Sequence, residues 1–117
     1  MKESILRTKS YRFALDSVFL YKELVENKEF ILSKQFMRSA TSVGTNIREG
    51  GNAQSHKDFI SKMSISLKKC GESQYWLDLL KEASYISLSK HKNMYSQSDE
   101  VYRMLSSIVI TVKKKLL

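Results

Sequence analysis

Apolar residues recur every three or four positions through most of the chain, a spacing that predicts helices from end to end. A first helix is predicted from about Ser10 to Asn27. Ala14, Val18, Tyr21 and Val25 share one stripe, with Phe13, Leu20 and Leu24 beside it, while Arg12, Asp16 and Glu23 take the opposite side. Asn27 to Ser33 reads as a connection. A second helix is predicted from about Lys34 to Gly50. Met37, Ala40, Val43, Gly44 and Ile47 gather on one side, and Lys34, Arg38, Thr41, Thr45 and Arg48 on the other. The apolar side is made of small residues, so a neighbouring helix can approach closely. Gly50-Gly51-Asn52 reads as a helix stop, because glycine accepts the left-handed conformation at a helix end.

A third helix is predicted from about Ser55 to Ala83. Ser55 and Asp58 have the spacing of a capping box, in which the hydroxyl accepts a backbone N–H and the carboxylate reaches back. This helix carries two apolar stripes. Phe59, Met63, Leu67, Cys70 and Leu77 form one; Ile65, Trp76, Leu79 and Ala83 form the other. Two stripes predict neighbours on both sides, from within the chain or from another subunit. Ser84 to Ser98 is polar and reads as a connection, with Ser96 and Asp99 as a possible cap. A fourth helix then runs from about Ser98 to Lys114 on Val101, Met104, Leu105, Ile108 and Val112. The expected fold is all-α: an antiparallel up-down four-helix bundle in one domain spanning residues 1–117.

Composition narrows the picture. The chain has no proline and four glycines, too little punctuation for a strand-rich domain. Cys70 is the only cysteine, so an intrachain disulfide is excluded, and its place on the third helix's core stripe predicts an inert buried thiol. No apolar run suffices for a signal peptide or a bilayer span, which predicts a cytoplasmic protein with no membrane partner.

The net charge of +8 favours polyanionic partners, RNA or DNA. The two halves of the chain hold equal numbers of basic residues, so along the sequence the charge is dispersed. Candidate phosphate contacts are Lys34, Arg48, Lys57, Lys62, Lys68, Lys69, Lys113, Lys114 and Lys115. Such residues position a polyanion without reading its sequence. The three terminal lysines also suit the negative end of a helix dipole, so they have a structural reason to be there. No aromatic stacking platform is evident among these charges.

No catalytic set emerges. His56 and His91 lie in different segments, and neither has a second ligand at metal spacing. Gly50-Gly51 lacks the strand and lysine of a phosphate loop, and no nucleophile stands beside a base. The expectation is a protein without enzymatic activity, metal or cofactor. One polar line stands out. Arg38, Ser42, Asn46 and Glu49 follow at steps of four, four and three, so they share a helix face. They suit either a partner surface or a network tying two helices together, with Arg38 reaching Glu72.

That polar line also carries a resemblance. Arg38-Ser39-Ala40, Ser42-Val43, Asn46-Ile47 and Glu49-Gly50, then Ser55 and Phe59, resemble the four-helix-bundle family of proteins encoded in intervening sequences of 23S ribosomal RNA genes. The run Leu67-Lys68-Lys69-Cys70-Gly71-Glu72-Ser73-Gln74-Tyr75-Trp76-Leu77 resembles one branch of that family. The chain departs from it in lacking a proline between its first two helices, in having Arg48 where many members have alanine, and in placing Gly71 within a helix. The resemblance implies a non-enzymatic bundle that assembles as a ring-shaped homopentamer with a basic surface. It also extends to the accessory variability determinant of diversity-generating retroelements, which implies a nucleic-acid-binding partner of a reverse transcriptase. In such an assembly Ile65, Trp76, Leu79 and Ala83 are the candidate subunit contacts. The alternative is a protein-interaction scaffold whose basic surface docks an acidic partner.

Overall fold

The computed structural model describes the backbone of residues 2–116 and the side chains of residues 5–116. Four helices follow one another: α1 (Lys2–Glu26), α2 (Leu32–Gly50), α3 (His56–Glu82) and α4 (Leu88–Leu116). Among the described residues there is no strand. The helices pack into an elongated bundle of 47 × 21 × 20 Å, a length set by α3 and α4 at about 1.5 Å per residue. Each of α1 and α3 lies beside both α2 and α4, whereas among the described residues no Cα of α1 comes within 8 Å of α3, nor any of α2 within 8 Å of α4. The bundle thus has four corners, with α1 and α3 diagonally opposed.

Buried positions repeat at alternating steps of three and four in every helix. Leu6, Ser10, Phe13, Ser17, Leu20 and Leu24 make the inner seam of α1. Met63, Ser66, Cys70, Ser73, Leu77 and Leu80 make that of α3. This is the seam of a left-handed bundle, in which side chains of one helix fit between those of the next. The α1 core therefore centres on Phe13, Leu20 and Leu24, and the stripe Ala14, Val18, Tyr21, Val25 is only half-buried at its edge.

Serine fills many seam positions, and its hydroxyls are satisfied locally. Ser17 Oγ donates to Phe13 O at 2.7 Å, Ser73 Oγ to Cys70 O at 2.6 Å and Ser98 Oγ to Tyr95 O at 2.7 Å. Bonding a carbonyl one turn back removes the cost of burying the hydroxyl, and the small side chain lets helices close up. Ser66 instead crosses between helices, donating to Val43 O at 2.8 Å. Apolar residues form one cluster around Val43, Ile47, Met63 and Leu105 and another around Phe13, Phe36, Leu77 and Met94.

Several predicted boundaries move. The first helix begins at Lys2 rather than Ser10. The fourth begins at Leu88 rather than Ser98, so most of the predicted Ser84–Ser98 connection is helix and Ser96 lies inside it. The reason is that Met94 and Ser98 fill the seam while Lys90, Lys92 and Asn93 point to the flanks. A seam partly built of serine carries little hydrophobic signal.

The helix ends differ too. Gly51 is right-handed (φ −63°), so Gly50-Gly51 does not stop α2 by a left-handed turn. Gly50 lies close to α3: a Cβ there would meet Met63 Cε, the far end of a flexible side chain that would have to shift. The left-handed residues are Lys28 and Ser84, each at φ 65°. Glu29 N–H to Leu24 O (2.8 Å) with Lys28 N–H to Val25 O (2.9 Å) closes α1, and Tyr85 N–H to Leu80 O with Ser84 N–H to Lys81 O closes α3 the same way. These are Schellman ends with a side chain where glycine is usual. Lys28→Gly and Ser84→Gly should each stabilise the fold by about 0.5–1 kcal/mol, read as a rise in the urea midpoint at unchanged slope.

At the start of α3 the Ser55 hydroxyl accepts the Asp58 N–H at 3.1 Å, as the sequence predicts, but Asp58 does not return the bond. The start of α2 is held by a group the sequence does not reveal. The buried Glu29 carboxylate accepts the N–H groups of Ile31, Leu32 and Ser33 at 3.2, 3.1 and 2.6 Å. Burial alone would raise its pKa. The three N–H bonds outweigh that and hold the carboxyl below its usual range.

Candidate nucleic-acid interface

The directions of the helices bring distant basic residues together. Contacts between α1 and α4 run in opposite sequence order: Lys9 pairs with Glu100, Gln97 donates to Asp16, and Lys90 pairs with Glu23. Between α2 and α3, Val43 lies against Ser66 and Glu49 against Lys62. One end of the bundle therefore collects the beginnings of α1 and α3 and the ends of α2 and α4. Arg7, Ile47, Gly51 and Phe59 surround one concavity there, and Gly51, Ser55, His56, Phe59, Val112 and Lys115 surround the next.

Of the nine candidate cations, Arg48, Lys57, Lys62, Lys113, Lys114 and Lys115 belong to this end, and Arg7, which the sequence reading passed over, joins them. Glu49 and Asp58 are the only acids among its described side chains. Lys62 is engaged by Glu49 at 2.9 Å, and that hydrogen bond and charge hold its ammonium above the usual pKa. Arg7, Arg48, Lys57 and the three terminal lysines have no ion-pair partner among the described residues. The remaining candidates lie elsewhere. Lys68 and Lys69 are midway along α3, Lys69 bound to Glu72 at 3.3 Å, and Lys34 is in the first turn of α2 at the far end.

The far end carries Glu23, Glu26, Glu29, Asp78 and Glu82, but Lys22, Lys28, Lys34, Lys81 and Lys90 lie among them, so that end is close to balanced while the other holds the basic excess. Charge is thus polarised along the long axis. The two sequence halves look alike because each half visits both ends.

The polar line on α2 behaves as separate pieces. Asn46 donates to Ser42 O at 2.8 Å within its own helix, and Glu49 reaches Lys62 of α3. Arg38 is exposed and does not pair with Glu72, which Lys69 occupies. Only Glu49 ties two helices.

An aromatic platform among the charges, which the sequence does not make evident, is present: Tyr11 is 58% exposed and lies 5.8 Å from the Arg48 guanidinium. Tyr11 and Arg48 lie on different helices, 37 positions apart in the sequence, so only folding shows the pair.

The candidate subunit contacts divide. Ile65 is exposed and Leu79 half-buried on α3, Ala83 caps the end of that helix, and Trp76 packs against the Phe13–Leu77 cluster. A second exposed apolar stripe, Tyr11, Leu15 and Phe19, runs along α1.

Other chemistry is sparse. Cys70 is buried, donates to Ser98 O at 3.2 Å, and has its pKa pushed up to about 12 by burial and then by nearby Asp99, so it stays a thiol. His91 hydrogen-bonds Asp78 at 2.8 Å, tying α4 to α3. Among the described residues no three acidic, histidine or cysteine side chains are grouped to hold a metal, and no helix is long and apolar enough to cross a membrane.

No curated protein matches the chain. Solved structures do. One is the crystal structure of a protein with unknown function from the S23 ribosomal protein family of Bacteroides thetaiotaomicron. It is 46% identical, with a TM-score of 0.92 over 93% of this chain and 98% of that one. The family model for 23S rRNA-intervening sequence protein matches residues 2–107. The serine-lined four-helix bundle described above is accordingly a member of the 23S rRNA-intervening sequence protein family.

Proposed function

We propose that this chain is a non-enzymatic, cytoplasmic, antiparallel up-down bundle that assembles into a ring-shaped homo-oligomer, a pentamer, and binds RNA or DNA through phosphate contacts. The observation that carries the binding half is the clustering at one end of the bundle of Arg7, Arg48, Lys57, Lys113, Lys114 and Lys115, which have no ion-pair partner among the described residues. Cations that no described carboxylate engages lose little on meeting phosphate, and each displaces condensed counterions. Lys68 and Lys69 extend the field along α3; Lys34 contributes least.

The assembly half rests on the diagonal placement of α1 and α3. Their outward faces point to opposite sides, and each carries exposed apolar side chains: Leu15 and Phe19 on α1, Ile65 and Tyr75 on α3 with Leu79 beside them. Two different faces on opposite sides are what a head-to-tail ring uses, whereas a two-fold dimer needs one face that matches itself. Phe19→Glu and Ile65→Glu should each break the ring into smaller species with unchanged helix content. Mixed, the two variants should form a one-to-one heterodimer, because each keeps one intact face. A mixture that stays monomeric, or rings that survive either substitution, would refute this arrangement. Light scattering reads both.

A second reading is favoured by Phe30, Ile31 and Tyr85 on the two links and Leu88 at the start of α4, which are exposed at the end opposite the basic one. Such an apolar tip suits a protein partner, for instance a reverse transcriptase for which this chain is an accessory subunit. Loss of a cellular partner from Ile31→Asp, with nucleic-acid affinity unchanged, would favour this reading.

A further inference from the structure

The groove between α1 and α2 holds more than charge. It is a concavity of about 210 Å³, lined by Arg7, Tyr11, Ala14, Thr41, Gly44 and Arg48 among others. Small residues create it: a Cβ at Gly44 would meet only Ser10 O, at 3.8 Å, so nothing from either helix fills the space. Arg48 lies over the Tyr11 ring, and both Arg7 and Arg48 lack a carboxylate partner among the described residues. Drug-sized ligands occupy pockets of about 300 Å³ and upward, so this groove admits a single ring system and little else.

We infer that the groove is a base-stacking site for single-stranded nucleic acid: one unpaired base lies on Tyr11, and the phosphates flanking it meet Arg7 and Arg48. The inference rests on the polyanion-binding reading and sharpens it. Phosphate contacts alone serve duplex and single strand alike, but a stacking site needs a base free of its partner. Leu15 and Phe19 follow Tyr11 on the same exposed stripe of α1 but do not line the groove.

The test compares a short adenine-rich single strand with a duplex of the same sequence, by fluorescence anisotropy on the full chain, for wild type, Tyr11→Ala and Tyr11→Phe. Tyr11→Ala should weaken single-strand binding by roughly 5- to 150-fold, leave duplex binding unchanged and keep the salt slope. Tyr11→Phe should retain wild-type affinity. Arg48→Gln should lower the single-strand salt slope by about 0.7, as one lost phosphate contact does. Equal effects of Tyr11→Ala on both ligands, or none on either, would overturn the stacking site while sparing the phosphate reading. So would a fall in oligomer mass for Tyr11→Ala, which would place the ring in a subunit contact. Wild type that binds neither ligand at low salt would overturn both readings.

Discussion

Glu29→Ala should lower the stability of this protein by about 2–4 kcal/mol, a large part of the 5–15 kcal/mol typical of a domain. The carboxylate is buried and accepts three consecutive N–H groups at the start of α2, among them Ser33 N–H at 2.6 Å. Those donors have no partner within the helix, and alanine leaves them unpaired beside the core. The negative charge also sits at the positive end of the α2 dipole. For a chain of this size the change corresponds to a fall of about 10–20 °C in Tm. Ser33 Oγ bonds Glu29 O at 2.7 Å, so the link between α1 and α2 should loosen together with the helix start.

The same group sets an acid limit. Its folded pKa lies below the usual glutamate value, so in the folded state the carboxylate holds its charge to lower pH than in the unfolded chain. The stabilisation is complete above the unfolded pKa and disappears as pH falls through the lower folded one. Glu29→Gln keeps the shape and removes the charge. It should be less stable than wild type at neutral pH and should converge with it in acid. Denaturation curves across that range give the difference directly, and parallel pH profiles would show that Glu29 contributes no titratable stability.

Replacing Lys113, Lys114 and Lys115 together with glutamine should cost two to three counterions in nucleic-acid binding. Each lysine that neutralises a phosphate contributes about 0.9 to the slope of log affinity against log salt on duplex DNA. The three residues occupy the last turn of α4, and Lys115 faces the concavity that includes Gly51, Ser55 and His56. Their value to the α4 dipole is about 0.3–1 kcal/mol, so the variant should stay folded. Weakening should be uniform across sequences, because phosphate contacts carry no base information. A variant with lower helix content and an unchanged salt slope would assign the lysines to the helix end and to nothing else.

The sequence shows the helical class and much of the α2 and α3 pattern, because Phe36, Val43, Ile47, Met63, Leu77 and Leu80 put strong apolar side chains at seam positions. It shows the Ser55 cap, whose signal is local. It hides the first turns of α1 and α4, where Leu6 and Met94 are followed at the next seam position by Ser10 and Ser98, and a buried serine reads as solvent-facing until its carbonyl partner is seen. Glu29 is hidden for a related reason: an isolated glutamate in a link gives no sign that three N–H groups converge on it. The left-handed Lys28 and Ser84 break the glycine rule that made Gly50-Gly51 look decisive.

The candidate site was legible residue by residue and illegible as a place. Arg48, Lys57 and Lys113 to Lys115 can be picked from the sequence as cations. That they share one end with Arg7, and that Tyr11 lines one groove with Arg7 and Arg48, depends on how the helices pack. Arg38 shows the converse. Its spacing suggested a bond to Glu72, but Lys69, one turn away on the same helix, takes that carboxylate.

The most direct measurement is the affinity of the wild-type chain for structured RNA, single-stranded DNA and duplex DNA across a range of salt, with the mass of the complex read by light scattering. The account predicts an oligomer whose log affinity falls steeply and linearly with log salt, by several counterions per site. A monomer with no affinity at low salt, or binding that ignores salt, would contradict it and leave the basic end as solvated surface.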